Sequence, residues 1–137
     1  MKPSGLDRLF KPQSIAVIGA STDPQKAGHV VIRHLLAGQF KGPILPVSPH
    51  SKAIAGVLAY ADIDSLPLAP DLAIVCTRRE QVLTLIEALG KRGTGAAIIL
   101  AADFTASERE QLQQLTQQYG IRLLGPNSMG MLLPGQG

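Results

Sequence analysis

Ser14-Ile15-Ala16-Val17-Ile18-Gly19-Ala20-Ser21-Thr22-Asp23-Pro24-Gln25-Lys26-Ala27-Gly28 sets a short apolar, β-branched run against a glycine, a polar loop and the start of a helical pattern. An apolar run without polar alternation is a strand covered on both faces, the mark of a parallel sheet. Val30, Val31, His34 and Leu35 then recur at helical spacing up to Gly38, so the stretch reads as strand, turn, helix. Residues 43–47 (weakened by two prolines), 71–76, 95–100 and 121–124 are four further runs of the same kind.

Helical patterns separate them. Val82, Leu83, Leu85, Ile86 and Leu89 form a stripe ending near Gly90 or Gly93, and Lys91 and Arg92 suit the negative end of such a helix. Ser107-Glu108-Arg109-Glu110 reads as a capping box opening a helix through Leu112, Leu115 and Tyr119, closed by Gly120; Thr105 with Glu108 offers the same box two residues earlier. The stretch between Val47 and Leu72 is less regular and holds one short helical turn over 62–66, before Pro67. A front helix over 6–10 is expected on the sheet edge. Five alternations of strand and helix predict an α/β, Rossmann-like, doubly wound parallel sheet with right-handed crossovers and strand order 3-2-1-4-5.

The chain has 137 residues, room for a single domain. Hydrophobic residues make up 45% and charged residues 17%, which excludes a disordered chain. A net charge of +3 suits an anionic small molecule and is too weak to argue for nucleic acid; aromatics at 4%, with no Trp, remove the stacking platforms of single-strand binders. The single cysteine, Cys76, excludes an internal disulfide framework and fits a reducing cytoplasm. No apolar run approaches the roughly 18 residues of a membrane span, and the start lacks a signal-peptide core.

In doubly wound folds function gathers at the carboxyl ends of the strands. After the first strand, Gly19, Ala20, Ser21 and Thr22 lead to Lys26, Gly28 and a helix N-terminus, an arrangement that receives phosphate on backbone N–H groups. The alternative is a tight turn that any α/β protein needs. Ser21 stands where the second glycine of the dinucleotide fingerprint belongs, which weakens a standard NAD site. The second strand ends Val47-Ser48-Pro49-His50-Ser51-Lys52, with hydroxyls, an imidazole and an ammonium where an NAD site carries a carboxylate. Those groups suit a phosphate on the ribose, and the ligand class narrows to NADP or coenzyme A.

Thr77, Arg78 and Arg79 follow the third strand, as a second anion contact or as the polar first turn of a helix. Ala101, Ala102 and Asp103 follow the fourth, and Gly125-Pro126-Asn127 the fifth, where the Asn127 amide can donate and accept. Cys76 reads as a small buried hydrophobe, because no His–Asp constellation accompanies it. His29, His34 and His50 have no metal-ligand spacing, and no general acid–base pair stands out.

Residues 9–21, 42–49, 56–60, 70–77 and 124–130 together resemble, in order and across nearly the whole chain, the CoA-binding domain of the ADP-forming acyl-CoA synthetase family. They are most similar to the N-terminal region of bacterial protein lysine acetyltransferases fused to a GNAT domain; the succinyl-CoA synthetase alpha subunit is a more distant relative. The resemblance implies a site for CoA or acyl-CoA. Gly19, Ala20, Ser21, Thr22 and Gly28 would hold a phosphate, with the 47–52 loop at the nucleotide end. Thr77, Ala101 to Phe104 and Asn127 would line the remaining wall.

Two positions depart from the family pattern. His50 follows Pro49 where a lysine is usual, with Lys52 slightly later, and Arg78-Arg79 replaces small or proline residues. Relatives with ligase activity add a phosphorylated-histidine domain and an ATP-grasp domain, so this chain is expected to be the N-terminal part of a longer protein, without turnover alone. An NADP-binding oxidoreductase domain and a non-binding regulatory or oligomerisation domain remain the alternatives, and assembly into a homo-oligomer is left open.

Overall fold

The computed structural model describes residues 5–125. Seven strands appear: β1 (Ile15–Ile18), β2 (Ile44–Val47), β3 (Ala53–Ile54), β4 (Val57–Leu58), β5 (Leu72–Val75), β6 (Ala96–Ile99) and β7 (Arg122–Leu124). The helices are α1 (Gly5–Phe10), α2 (Ala27–Ala37), α3 (Arg79–Arg92) and α4 (Ala106–Tyr119), with a 3-10 turn at Ile63–Ser65. All five expected main strands form, and they pair in parallel.

The strand order differs from expectation. The sheet runs β2-β1-β5-β6-β7, so the third main strand lies beside the first, and the order is 2-1-3-4-5 rather than 3-2-1-4-5. Pro46 gives a reason. A proline has no N–H to donate and is confined to edge strands and bulges. The expected order would have placed β2 between two neighbours. Instead Pro46 faces the open edge, where its carbonyl accepts from the Tyr60 N–H at 2.8 Å.

The chain then reaches β5 by way of a small antiparallel hairpin, β3–β4, which the sequence pattern did not reveal. Two residues make its turn, Ala55 and Gly56, both at positive φ (52° and 84°). Alanine there hides the turn, because hairpin turns of this kind are signalled by Asn-Gly or Asp-Gly.

Alternation along the strands divides the core in two. Ala16, Ile18, Leu45, Val47, Ala73, Val75, Ala97 and Ile99 pack under Val82, Ile86 and Leu89 of α3 and Leu112 of α4. Ile15, Val17, Leu72, Ala96 and Ile98 pack with Leu9 of α1, Ile32 of α2 and Ile54 of β3. Each Val, Leu or Ile among them stabilises the fold by about 1.5–3 kcal/mol when fully buried.

The helix boundaries follow their caps. α4 uses the earlier of its two candidate boxes: Thr105 Oγ1 accepts from the Glu108 N–H at 3.1 Å, and Glu108 Oε1 from the Thr105 N–H at 2.8 Å. That backbone bond, with Arg79 nearby, holds the Glu108 carboxyl below its usual range. α3 ends on Gly93 in the left-handed conformation. α1 is tied down by Arg8, which donates to the Gly93 carbonyl at 2.8 Å and pairs with Asp71 at 3.7 Å.

Ile86 is fully buried whereas Leu58 is 63% exposed. Ile86→Ala should therefore cost about 2–5 kcal/mol in urea denaturation, and Leu58→Ala no more than about 0.5 kcal/mol.

Candidate functional site

β1 stands between β2 and β5, and α2 and α3 leave β1 and β5 toward opposite faces of the sheet. Strand ends diverge at such a point, and a crevice opens outside their carboxyl ends. Here it is a cleft of about 650 Å³.

The first wall is the turn after β1, with Ile18, Gly19, Ala20, Ser21 and then Lys26. Two glycines set its shape. Gly19 has φ +84°, and a Cβ there would stand 2.9 Å from Thr77 Cγ2. Gly28 lies in the first turn of α2, where a Cβ would run into the Gly19 carbonyl. Only a missing side chain lets the helix lie so close to the strand end.

The open N–H groups are not where the fingerprint reading puts them. The Gly19 and Ala20 N–H groups both donate to the Val47 carbonyl at 3.1 Å, so they join β1 to β2. The free N–H groups lie further along. Among the described residues, those of Ser21, Thr22, Ala27 and Gly28 have no partner.

The second wall is the loop after β2, with Val47, Ser48, Pro49 and His50. Ser48 is buried, and its Oγ accepts from the His50 N–H at 3.3 Å. The third comes from β5 and α3: Cys76, Thr77, Arg78, Glu80, Gln81, Thr84 and Leu85. The two arginines separate. Arg78 lines the cleft, whereas Arg79 donates to the Asp103 carbonyl at 2.7 Å and pairs with Glu80 and Glu108.

Of the residues singled out in sequence, Gly19, Ala20, Ser21, Lys26, Val47, Ser48, Pro49, His50, Thr77 and Arg78 meet in one cleft. Thr22, Gly28, Lys52, Ala101, Ala102 and Asp103 do not line it. Gly28 is buried behind the loop, and Lys52 begins the hairpin, where its carbonyl accepts from Ala59. Asp103 has φ +66° and is held by Arg79. Asn127 lies outside the described residues.

Ala61, Asp62 and Ile63 also line the cleft and were not expected to. Asp62 caps the 3-10 turn, and its carboxyl is held below the usual range by hydrogen bonds from the Ser65 hydroxyl and N–H. Gln81, Thr84 and Leu85 had a signal, because they flank the stripe that buries Val82, Ile86 and Leu89 and so share the adjacent face of α3.

The cleft sees two α-helix N-termini, and both are built against custom. α2 has Lys26 at its N-cap and α3 has Arg78, and neither makes a side-chain capping bond. A cation at the positive end of a helix is unfavourable, by a few tenths of a kcal/mol up to about 1 kcal/mol. α4, which stands away from the cleft, carries the full Thr105–Glu108 box. Two uncapped, basic helix starts converging on one cleft can receive an anion. Among the described residues no cluster of His, Cys, Asp and Glu could hold a metal, and no helix is long and apolar enough to cross a membrane.

The family model that matches this chain is described as a CoA binding domain and covers residues 13–134. The chain belongs to the CoA-binding domain family. CoA is the ligand of the family, which decides against the NADP alternative. This CoA-binding domain is 34% identical to the alpha subunit of ADP-forming acetate–CoA ligase II from Pyrococcus furiosus, over 93% of this chain and 29% of that protein. It is 31% identical to ADP-forming acetate–CoA ligase I from Archaeoglobus fulgidus, over 93% of this chain and 19% of that one.

Among solved structures, the dinucleotide-forming acetyl-coenzyme A synthetase 1 of Ca. Korarchaeum cryptofilum, in complex with phosphate and ADP, superposes with a TM-score of 0.85. It is 36% identical, over 89% of this chain and 27% of that one. The CoA-binding domain thus spans less than a third of the length of these relatives.

Cys76 faces the cleft, and burial pushes its thiol from 9.0 up to about 12. It stays a protonated, unreactive wall. The sign of the linkage is testable. From pH 9 the unfolded chain loses this proton while the folded chain keeps it, so stability is complete below pH 9 and falls toward pH 12. The pH dependence of urea denaturation should be shallower in Cys76→Ala than in the unaltered chain across that range, by up to about 1.4 kcal/mol per pH unit.

Proposed function

We propose that the cleft formed by β1, β2, β5 and α3 is the CoA site of this domain. The phosphates meet the uncapped starts of α2 and α3, with Lys26 and Arg78 supplying charge. Ser48, Pro49 and His50 meet the nucleotide end. The observation that carries this reading is the pair of basic, uncapped N-termini, since both helices forgo a stabilising cap only where they face the cleft.

The parent protein is an ADP-forming acyl-CoA synthetase or a relative of one. Its downstream ligase and ATP-grasp domains, and in fused forms a GNAT domain, would carry the chemistry; this domain would hold the CoA or acyl-CoA. Likeness to acetate–CoA ligases along 93% of the chain supports that assignment. A cytoplasmic setting is consistent with the one free cysteine.

Calorimetric titration with CoA, dephospho-CoA and NADP at one salt concentration tests the reading, because phosphate contacts weaken with salt. CoA should bind best, dephospho-CoA more weakly, and NADP should give no heat. NADP binding tighter than CoA would overturn it. Replacing each basic N-cap gives a sharper arm: Lys26→Ser and Arg78→Ser should each stabilise the fold by about 0.5–1 kcal/mol in urea denaturation. Each should also weaken CoA binding by about tenfold. Lys52→Ala, away from the cleft, should leave binding unchanged.

A further inference from the structure

His29 is the one histidine the chain buries, 8% exposed against the surface positions of His34 and His50. It lies in the first turn of α2, and helix side chains lean toward the N-terminus, so its ring reaches back beneath the loop after β1. Its Nδ1 stands 2.9 Å from the Ser21 carbonyl oxygen. A carbonyl can only accept, so Nδ1 carries the proton.

The remainder of the loop is bonded within itself. Ser21 Oγ accepts from the Asp23 N–H, Asp23 Oδ1 from the Gln25 N–H, and the Asp23 carbonyl from the Lys26 N–H. Of these bonds, that of His29 ties the loop to a helix side chain.

We propose that His29 is a positioning residue for the phosphate loop, drawing the Ser21 carbonyl inward so that the Thr22 N–H is presented outward to the anion. The inference rests on the CoA reading of the cleft. In a trans peptide the carbonyl of one residue and the N–H of the next point in opposite directions. Fixing the Ser21 carbonyl toward the buried ring therefore turns the Thr22 N–H away from it. That N–H has no partner among the described residues, and Thr22 is exposed.

The same bond removes an obstacle. A carbonyl oxygen facing a phosphate repels it, whereas an N–H donates to it, so one peptide orientation admits the ligand and the other resists it. The Gly19 and Ala20 N–H groups are already spent on Val47, so the open donors of this loop begin at the Ser21 N–H, and the Ser21–Thr22 peptide follows it one residue past the cleft lining.

Three variants separate this role from simple packing. His29→Asn keeps an N–H near the Nδ1 position and should bind CoA within about threefold of the unaltered chain. His29→Phe keeps the ring and loses the donor, and should bind about tenfold more weakly. Should Phe unfold the chain, His29→Gln takes its place, since its amide reaches the Nε2 position and is expected to weaken binding likewise. Thr22 amide NMR supplies a second readout: its resonance should shift on adding CoA to the unaltered chain and to His29→Asn, and stay put in the weak variant.

A folded His29→Phe or His29→Gln that binds CoA as the unaltered chain does would overturn the proposal alone. So would an Asn variant as weak as Phe. An unaltered chain that binds no CoA would overturn the reading of the cleft and this proposal together.

Discussion

The cleft depends on how closely the first turn of α2 lies against the end of β1. Gly28 has no side chain where one would strike the Gly19 carbonyl, and Gly19 has none where one would meet Thr77. Add a methyl at either place and the loop from Ser21 to Lys26 must move, carrying Lys26 and the open N–H groups with it. The contact also lets His29 reach the Ser21 carbonyl, because only a helix this close to the loop can bond it from beneath. Binding geometry and backbone packing are therefore a single constraint here.

Away from the cleft, three arginines are engaged: Arg8 with Asp71 and Gly93, Arg79 with Asp103 and Glu108, and Arg92 with the carbonyls of Ile63, Asp64 and Leu66. The Arg92 guanidinium joins the end of α3 to the turn whose Ile63 lines the cleft. At the cleft, Lys26 and Arg78 take part in no ion pair among the described residues. Two neighbouring arginines, 78 and 79, thus serve opposite ends, one held and one free.

Much of the cleft was legible in the sequence, for a definite reason. Residues directly after parallel strands lie at the carboxyl edge wherever those strands sit, so the turns at 19–21, 47–50 and 77–78 were identifiable without knowing the order of the sheet. The loop at 101–103 follows the same rule and fails, because β6 is a strand removed from the point where α2 and α3 part. Ala61, Asp62 and Ile63 were missed because they follow no main strand; they reach the cleft through the crossover from β2 to β5, whose path no local pattern encodes.

By itself the sequence determined the five main strands, the helices, the doubly wound class and most of the loops that line the cleft, because apolar periodicity and Gly, Pro and capping residues act within a few positions of one another. The tertiary structure decided the order of strands, placing β5 beside β1, and with it which loops share a cleft. It also decided which N–H groups are free, by joining Gly19 and Ala20 to Val47, and which arginine faces the cleft. Those outcomes rest on contacts between residues dozens of positions apart, whose free energy belongs to neither partner's local sequence.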